Sequence, residues 1–161
     1  MNFFDQSCQE PVITDPIFGI CDGHNGAKAF TDREKPETWI ATVKNDGKLS
    51  LTFTAVDNCV IEGNREPNRG RCDGMLTSSE HLFFVELKNQ KEKWREHAIA
   101  QLESTIMFFL DNHDASAFKH KKAFACNKKH SRFQTVDNEL SKYFFTRYKF
   151  RIDIQSVILV V

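Results

Sequence analysis

The stretch from Cys72 to Lys88, CDGMLTSSEHLFFVELK, decides the fold of the chain. Two segments that read as strands flank the short polar turn Ser78-Ser79-Glu80, and this pattern predicts a β-hairpin. If the chain folds symmetrically about Ser79-Glu80, Asp73 lies directly opposite Glu86, with Cβ atoms about 4.5–5.5 Å apart. A three-residue turn would instead make the two carboxylates diagonal neighbours. The turn therefore decides whether a like-charge pair forms.

Such a pair suggests a cation site. Two carboxylates at this distance repel by about 3 kcal/mol at an effective dielectric constant of about 20. A hard divalent cation between Asp73 and Glu86 would turn the repulsion into binding. Lys88 lies two residues beyond Glu86, on the same strand face and beside that cation. The structural alternative is that Glu86 and Lys88 form a salt bridge at the rim of the sheet, or that the strand ends at Val85.

The second strand of the hairpin is apolar on both faces. One face carries Leu82 and Phe84 before Glu86 and Lys88, and the other carries Phe83, Val85 and Leu87. A strand with two apolar faces is expected inside a sheet that is covered on both sides. A Glu and a Lys at the end of such a strand are costly unless they are paired or ligated.

An acid on one strand, then Glu-x-Lys on the next strand, then a helix, resembles the PD-(D/E)XK phosphodiesterase superfamily of restriction endonucleases and repair nucleases. The resemblance runs from about residue 57 to residue 126. It departs from the family pattern at Cys72, where proline is usual. On the helix, Gln101 resembles the first residue of the Q-x-x-x-Y element of RecB-like members, and Thr105 replaces the tyrosine.

The resemblance implies roles for these residues. Asp73 and Glu86 would ligate Mg²⁺, for which Mn²⁺ can substitute, with the backbone carbonyl of Leu87 as a third oxygen. Lys88 would hold the attacking water and stabilise developing negative charge. Gln101 would orient a water or a phosphate. The alternative is that it lies at the boundary of the apolar stripe of the helix, with its amide half solvated.

Further candidates are weaker. Many superfamily members contribute an extra acid from upstream of the motif, where Asp57, Glu62 and Glu66 lie, and Glu62 is chosen here. Clustered cations are candidate phosphate contacts: Lys119, Lys121, Lys122, Lys128, Lys129 and Arg132. The alternative for these cations is a solvated sheet edge, where lysines discourage edge-to-edge pairing.

The pattern of the whole chain predicts an α/β (α+β) fold with a mixed central sheet flanked by helices. The family resemblance implies that this sheet belongs to a restriction-endonuclease-like core. Apolar and polar residues alternate over 38–44 and 49–55 about the turn 45–48, which predicts an N-terminal antiparallel hairpin. A period of 3.6 predicts a helix over 91–110. Residues 138–148 predict a second helix, with Asp137 as its N-cap.

Length and composition favour one domain over residues 1–161, with 1–37 as an N-terminal extension of short extended segments. Lysine plus arginine and aspartate plus glutamate each number 22, so the overall field does not indicate nucleic acid. The longest apolar run, 157–161, is too short to span a bilayer, and no secretory signal is recognised. Five widely spaced cysteines favour free thiols in a reducing cytoplasm.

The function predicted first is Mg²⁺-dependent phosphodiester hydrolysis of nucleic acid, with DNA favoured over RNA. The second interpretation is a nuclease-like fold that binds protein or nucleic acid without chemistry, which the zero net charge and small size favour. The third is an unrelated α/β interaction protein. A homodimer or another protein partner is left open, and no membrane association is expected.

Overall fold

The computed structural model describes residues 1–62 and 70–161. The strands are β1 (Ile17–Cys21), β2 (Phe30–Asp32), β3 (Ala41–Lys44), β4 (Thr52–Ala55), β5 (Gly74–Thr77), β6 (His81–Lys88), β7 (His120–Asn127), β8 (Arg151–Ile154) and β9 (Val157–Leu159). The helices are α1 (Arg95–Asn112) and α2 (Asn138–Tyr148), with single 3₁₀ turns at Gln6–Cys8 and Pro36–Thr38. This is a mixed α/β fold.

A five-stranded sheet in the order β4-β5-β6-β7-β8 forms the centre of the molecule. The first three strands are antiparallel neighbours, whereas β6, β7 and β8 run parallel. Parallel neighbours require a crossover connection. Helix α1 makes the first crossover and α2 the second. The sheet is therefore mixed, as the sequence predicts.

Strand β6 lies inside this sheet, between β5 and β7. Phe83 and Phe84 point to opposite faces and are 1% and 0% exposed. Phe84 packs in the cluster beneath α1, and Phe83 packs in a second cluster on the far face. The predicted two-sided burial of this strand is confirmed.

Helix α1 begins at Arg95 and not at Lys91. Lys93 has a φ of 56°, in the left-handed region, so the preceding residues cannot join the helix. Within the helix the predicted apolar stripe is buried: Ala98, Leu102, Thr105, Ile106 and Phe109. Helix α2 matches its predicted span, and the Asp137 carboxylate caps it by accepting from the backbone N–H of Leu140 at 2.8 Å.

The predicted N-terminal hairpin is wrong, although its turn is present. The backbone N–H of Lys48 donates to the carbonyl of Asn45, and the buried Asn45 side chain bonds the backbone of Leu49. Strand β3 nevertheless pairs with β1 and β9, while β4 pairs with β5 in the other sheet. Because both edges of β3 are occupied, β4 cannot pair with it.

Two sheets pack face to face as a result. The smaller sheet has the order β2-β1-β3-β9. Its apolar residues share one cluster with the face of the larger sheet that carries Phe83 and Val85. Near the C-terminus, β8 and β9 are separated by only two residues and belong to different sheets. The helices cover the opposite face of the larger sheet, so the layers are sheet, sheet, helix.

The N-terminal segment is part of the core and not a loose extension. Phe3 is 0% exposed and packs against Phe84 and Phe109, with ring centroids 6.1 and 5.2 Å away. Further along, Gln9 and Ile13 bridge to residues 54 and 51 beside β4. The segment thus covers the outer edge of β4, which would otherwise present unpaired backbone groups.

This path brings Cys8 to Cys59, and the two form a disulfide with a Cα–Cα distance of 5.7 Å. The expectation that all five thiols are free is wrong for this pair, because residues 51 positions apart in sequence meet only through the fold of the N-terminal segment. Cys21, Cys72 and Cys126 are free and buried. None of the helices in the described ranges is long and apolar enough to cross a membrane.

The disulfide closes a loop of 51 residues. In the chain-entropy model a loop of this size stabilises the fold by about 4 kcal/mol. We expect reduction by dithiothreitol to lower the free energy of unfolding in urea by about that amount. The double variant Cys8→Ser/Cys59→Ser is the control, and its unfolding curve should be the same with and without reductant. Equal wild-type curves in both conditions would contradict the expectation.

Candidate active site

The hairpin register is the one predicted from the sequence. Gly74 pairs with Val85, Met75 with Phe84, and Thr77 with Leu82. The Ser78 hydroxyl closes the turn by accepting from the backbone N–H of His81 at 3.0 Å. The same register extended by one residue sets Asp73 opposite Glu86.

Asp73 is fixed by the backbone of β6. Its N–H donates to the carbonyl of Val85 at 3.1 Å, and its Oδ2 accepts from the N–H of Leu87 at 2.7 Å. The carboxylate therefore takes the place of a backbone acceptor at the end of the ladder. Gly74, the next residue, lets Phe53 approach closely, since an added Cβ would lie 2.4 Å from the Phe53 ring.

The N–H of Leu87 points toward β5. In an extended strand the carbonyl of the same residue faces the same edge. The Leu87 carbonyl is therefore directed to the side of β6 on which Asp73 lies. This orientation agrees with the role that the family resemblance implies for it.

Glu86 is 3% exposed, and its two carboxylate oxygens differ in their partners. Oε2 lies 3.2 Å from the Lys88 ammonium, which is the salt bridge considered as an alternative. Oε1 is buried, and no N–H or O–H donor of the described residues reaches it. A buried oxygen of this kind is costly unless something satisfies it. A proton shared with Asp73, or a bound cation, would do so.

Burial dominates the electrostatics of the pair. Desolvation raises the pKa of Asp73 to about 6, against the lowering effect of hydrogen bonds from Glu86 and Leu87. Desolvation and the charge of Asp73 raise the pKa of Glu86 well above its usual value. The two carboxyls thus favour holding a proton between them over carrying two charges.

Two further acids act on the site. The charges of Asp22 and Asp57 also raise the pKa of Asp73. Asp57 follows β4, and its N–H donates to the carbonyl of Cys72 at 3.1 Å. Asp22 follows β1. Burial raises the pKa of Asp22, the charge of Asp57 raises it further, and the charge of Lys88 lowers it. The predicted extra acid, Glu62, is an exposed residue next to the undescribed segment 63–69. Glu66 lies outside the described residues.

Sequence reasoning missed Asp22, because its electrostatic effect on the site depends on packing of one sheet on the other. Asp57 is one of the three upstream acids, although Glu62 is the one that the sequence analysis predicts. Asp57 directly follows β4, which pairs with β5 beside the motif, and this position indicates that it lies near the site. A carboxylate at a strand end beside the motif strand is a better candidate than one farther along a loop.

Lys88 has a second partner on α1. Its ammonium donates to Nδ1 of His97 at 2.6 Å. An ammonium has no acceptor, so His97 must present an unprotonated Nδ1. His97 lies one helical turn before Gln101 on the same face. This four-residue spacing is the sequence pattern from which His97 could have been predicted as a site residue.

Helix α1 also holds the strand that leads to Asp73. Thr105 Oγ1 accepts from the N–H of Cys72 at 2.8 Å and donates to the carbonyl of Gln101 at 2.8 Å. The half-buried Gln101 side chain lies against Gly70, since an added Cβ there would be 2.5 Å from its Oε1. The threonine that departs from the resembled pattern therefore positions the motif. The Gln101 amide lies beside the segment leading to Asp73.

The predicted cations separate into two groups. Lys128 and Lys129 follow β7 at the end where Asn127 pairs with Lys88. Lys121 and Lys122 lie at the other end of β7, where Lys122 pairs with Phe83. Five residues of strand, about 17 Å, separate those ends. Strand β7 is an interior strand between β6 and β8, so its lysines do not guard a sheet edge.

The described residues contain no group of three His, Cys, Asp or Glu side chains arranged to hold a metal ion. The donors suited to Mg²⁺ are the Asp73 and Glu86 carboxylates and the Leu87 carbonyl. The unsatisfied Oε1 of Glu86 is the observation in favour of this set. These residues fit a hard cation that would complete its coordination with water, as Mg²⁺ usually does.

Comparison with protein-family models, with curated proteins and with solved structures gives no match for this chain. A function therefore has to be argued from the geometry of the site.

The raised pKa of Asp73 makes the stability depend on pH. Between about pH 4 and pH 6 the folded state binds more protons at Asp73 than the unfolded chain does, so stability falls as pH rises. The loss is on the order of 3 kcal/mol for two pKa units. We expect Asp73→Asn to be more stable than wild type, with a difference that grows across this range and then levels off. Urea unfolding at a series of pH values measures it, and a constant difference would contradict the assignment.

Proposed function

We propose that the protein is a Mg²⁺-dependent phosphodiesterase that hydrolyses nucleic acid, with DNA favoured as substrate. The observation that carries the proposal is the juxtaposition of Asp73 and Glu86 at one end of the sheet, with a buried oxygen of Glu86 unsatisfied and Lys88 beside it. A buried like-charge pair destabilises the fold. A bound cation would neutralise the two carboxylates, and an anionic substrate would pair with the lysine beside them.

The arrangement of strands supports the proposal. Three antiparallel strands, a helix and a parallel strand occur in that order from β4 to β7. This is the order expected of a restriction-endonuclease-like core. The functional end of the sheet is the carboxyl end of β6 and β7, where ligands of open α/β sheets usually bind.

In this proposal Asp73, Glu86 and the Leu87 carbonyl hold the cation. When bound, Mg²⁺ supplies positive charge for the phosphate and acidifies a bound water. Lys88 donates hydrogen bonds toward the phosphate oxygens or the attacking water, and stabilises charge that develops in the transition state. His97 holds the Lys88 ammonium from the helix side. Asp22 adds negative potential that attracts the cation, whereas Asp57 forms an ion pair with Arg71 at 2.6 Å.

The proposal includes the cytoplasmic location that the cysteine spacing predicts. The Cys8–Cys59 disulfide is the observation against it, since disulfides are rare in a reducing compartment.

Divalent cations test the first half of the proposal. Since the cation binds only the folded hairpin, Mg²⁺ or Mn²⁺ should raise the Tm, by about 5–10 °C at a concentration 100-fold above Kd. Asp73→Asn should remove the shift, whereas Glu62→Gln tests the weaker candidate acid. Calorimetric melting in EDTA and in each cation measures this. Equal shifts in wild type and Asp73→Asn would mean that the cation binds elsewhere.

Lys88→Ala tests the chemistry. The variant should keep the cation-dependent Tm shift but lose about 10²–10³ in cleavage rate, because Lys88 acts on the transition state and is not a ligand. The assay follows degradation of plasmid, linear duplex, single-stranded DNA and RNA with Mg²⁺ or Mn²⁺. Lys44→Ala, on an exposed face of the smaller sheet, is the matched control and should cleave like wild type.

Two outcomes would count against the enzyme. Activity that survives in Lys88→Ala would indicate a contaminant or another site. Inactivity of wild type on every substrate, together with a normal cation shift, would favour the nuclease-like binding module without chemistry.

A further inference from the structure

A cleft of about 430 Å³ opens at the amino end of β7, at the opposite end of the sheet from Asp73 and Glu86. Four lysines and one arginine line it: Lys119, Lys121, Lys122, Lys149 and Arg151. These cations come from two parts of the chain, the start of β7 and the junction where α2 leads into β8. Lys122 and Arg151 are register partners on β7 and β8, and Lys149 is the residue that ends α2.

The concentration of positive charge is unusual for this chain. Its formal net charge is zero, yet no carboxylate of the described residues lines this cleft. Five like charges gathered in one concavity repel one another and raise the local potential. A polyanion would offset that repulsion and release its own counterions on binding.

An exposed aromatic ring lines the same cleft, whereas the Lys122 ammonium lies 6.0 Å from the centroid of the Phe83 ring. Phe145 on α2 is 49% exposed, and the Lys149 ammonium lies 5.6 Å from its ring centroid. Phe145 and Arg151 also line an adjoining cleft of about 410 Å³, which extends past Lys142 and Asp153. The two clefts thus adjoin at Phe145 and Arg151, and we call the pair the α2–β8 groove.

We infer that this groove binds single-stranded nucleic acid, with phosphates on the cations of β7 and β8 and a base stacked on Phe145. Single-strand sites combine a cationic groove with aromatic rings on which bases stack. A groove of this kind admits one strand more readily than the broad face of a duplex. The site is separate from the proposed cation site and does not depend on cleavage.

Fluorescence anisotropy of a labelled oligothymidylate of about 15 nucleotides in EDTA tests the inference. We expect Lys122→Gln and Arg151→Gln each to weaken binding and to reduce the slope of log K against log salt by about 0.7. Phe145→Leu keeps an apolar side chain but removes the ring, and should weaken binding roughly 5- to 150-fold without changing the salt slope. Lys44→Gln removes one charge elsewhere and is the matched control.

Three further measurements decide where the oligonucleotide binds and which ligand the groove prefers. Asp73→Asn/Glu86→Gln should bind the oligothymidylate as wild type does, which separates this inference from the proposed nuclease function. A duplex of the same length should bind more weakly than the single strand. Inorganic polyphosphate should compete poorly, because it offers no base to Phe145.

Several outcomes would overturn the inference. They are no binding of the single strand, wild-type affinity in Phe145→Leu, tighter binding of the duplex, equal effects of Lys44→Gln and Lys122→Gln, or loss of binding in the carboxylate double variant. Equal competition by polyphosphate would show a general anion surface and not a nucleic-acid site.

Discussion

Strand β6 is paired along both edges and covered on both faces, and this constraint shapes everything around it. Glu86 sits near the end of that strand and is 3% exposed, so its charge cannot be solvated by bulk water. Whatever compensates it must come from the protein or from a bound group. Lys88 supplies part of that compensation to one oxygen, and the other oxygen has no donor from the described residues.

The surrounding elements hold this costly arrangement in place. Thr105 on α1 fixes the backbone at Cys72, and the backbone of β6 fixes Asp73 from the other side. The Thr105 contact is buried and the Asp73 contact is partly buried, so Asp73 cannot move away from Glu86 without breaking a hydrogen bond to β6. The fold therefore keeps the two carboxyls together, and a shared proton or a bound cation is needed to offset their repulsion.

The sequence predicted what depends on local pattern. The register of the 72–88 hairpin, the two-sided burial of β6, the α1 stripe and the Asp137 cap all follow from alternation, helical period or turn chemistry, and all are confirmed. Within the site, this placed Asp73, Glu86 and Lys88 at one end of the sheet. Their chemistry stays a prediction.

The sequence did not predict what depends on tertiary packing. The turn at 45–48 formed, but β3 and β4 paired with other strands because long-range partners were better. Phe3, the Cys8–Cys59 disulfide and Asp22 all depend on how the N-terminal third packs against the larger sheet. No local sequence pattern encodes such contacts, because they join residues that are far apart in the chain.

Parallel strands give the larger sheet two unlike ends. At the carboxyl end of β6 and β7 lie the buried acids with Lys88, and at the amino end of β7 and β8 lie the cations around Phe145. About 17 Å of strand separates the two, so one phosphate cannot contact both. A nucleic acid that reached both ends would have to pass around the sheet over several nucleotides. If both proposals hold, anchoring at the amino end would raise the local concentration of longer strands at the carboxylates without any change in their chemistry. Substrate length, more than base sequence, is then the property that such a molecule is built to distinguish.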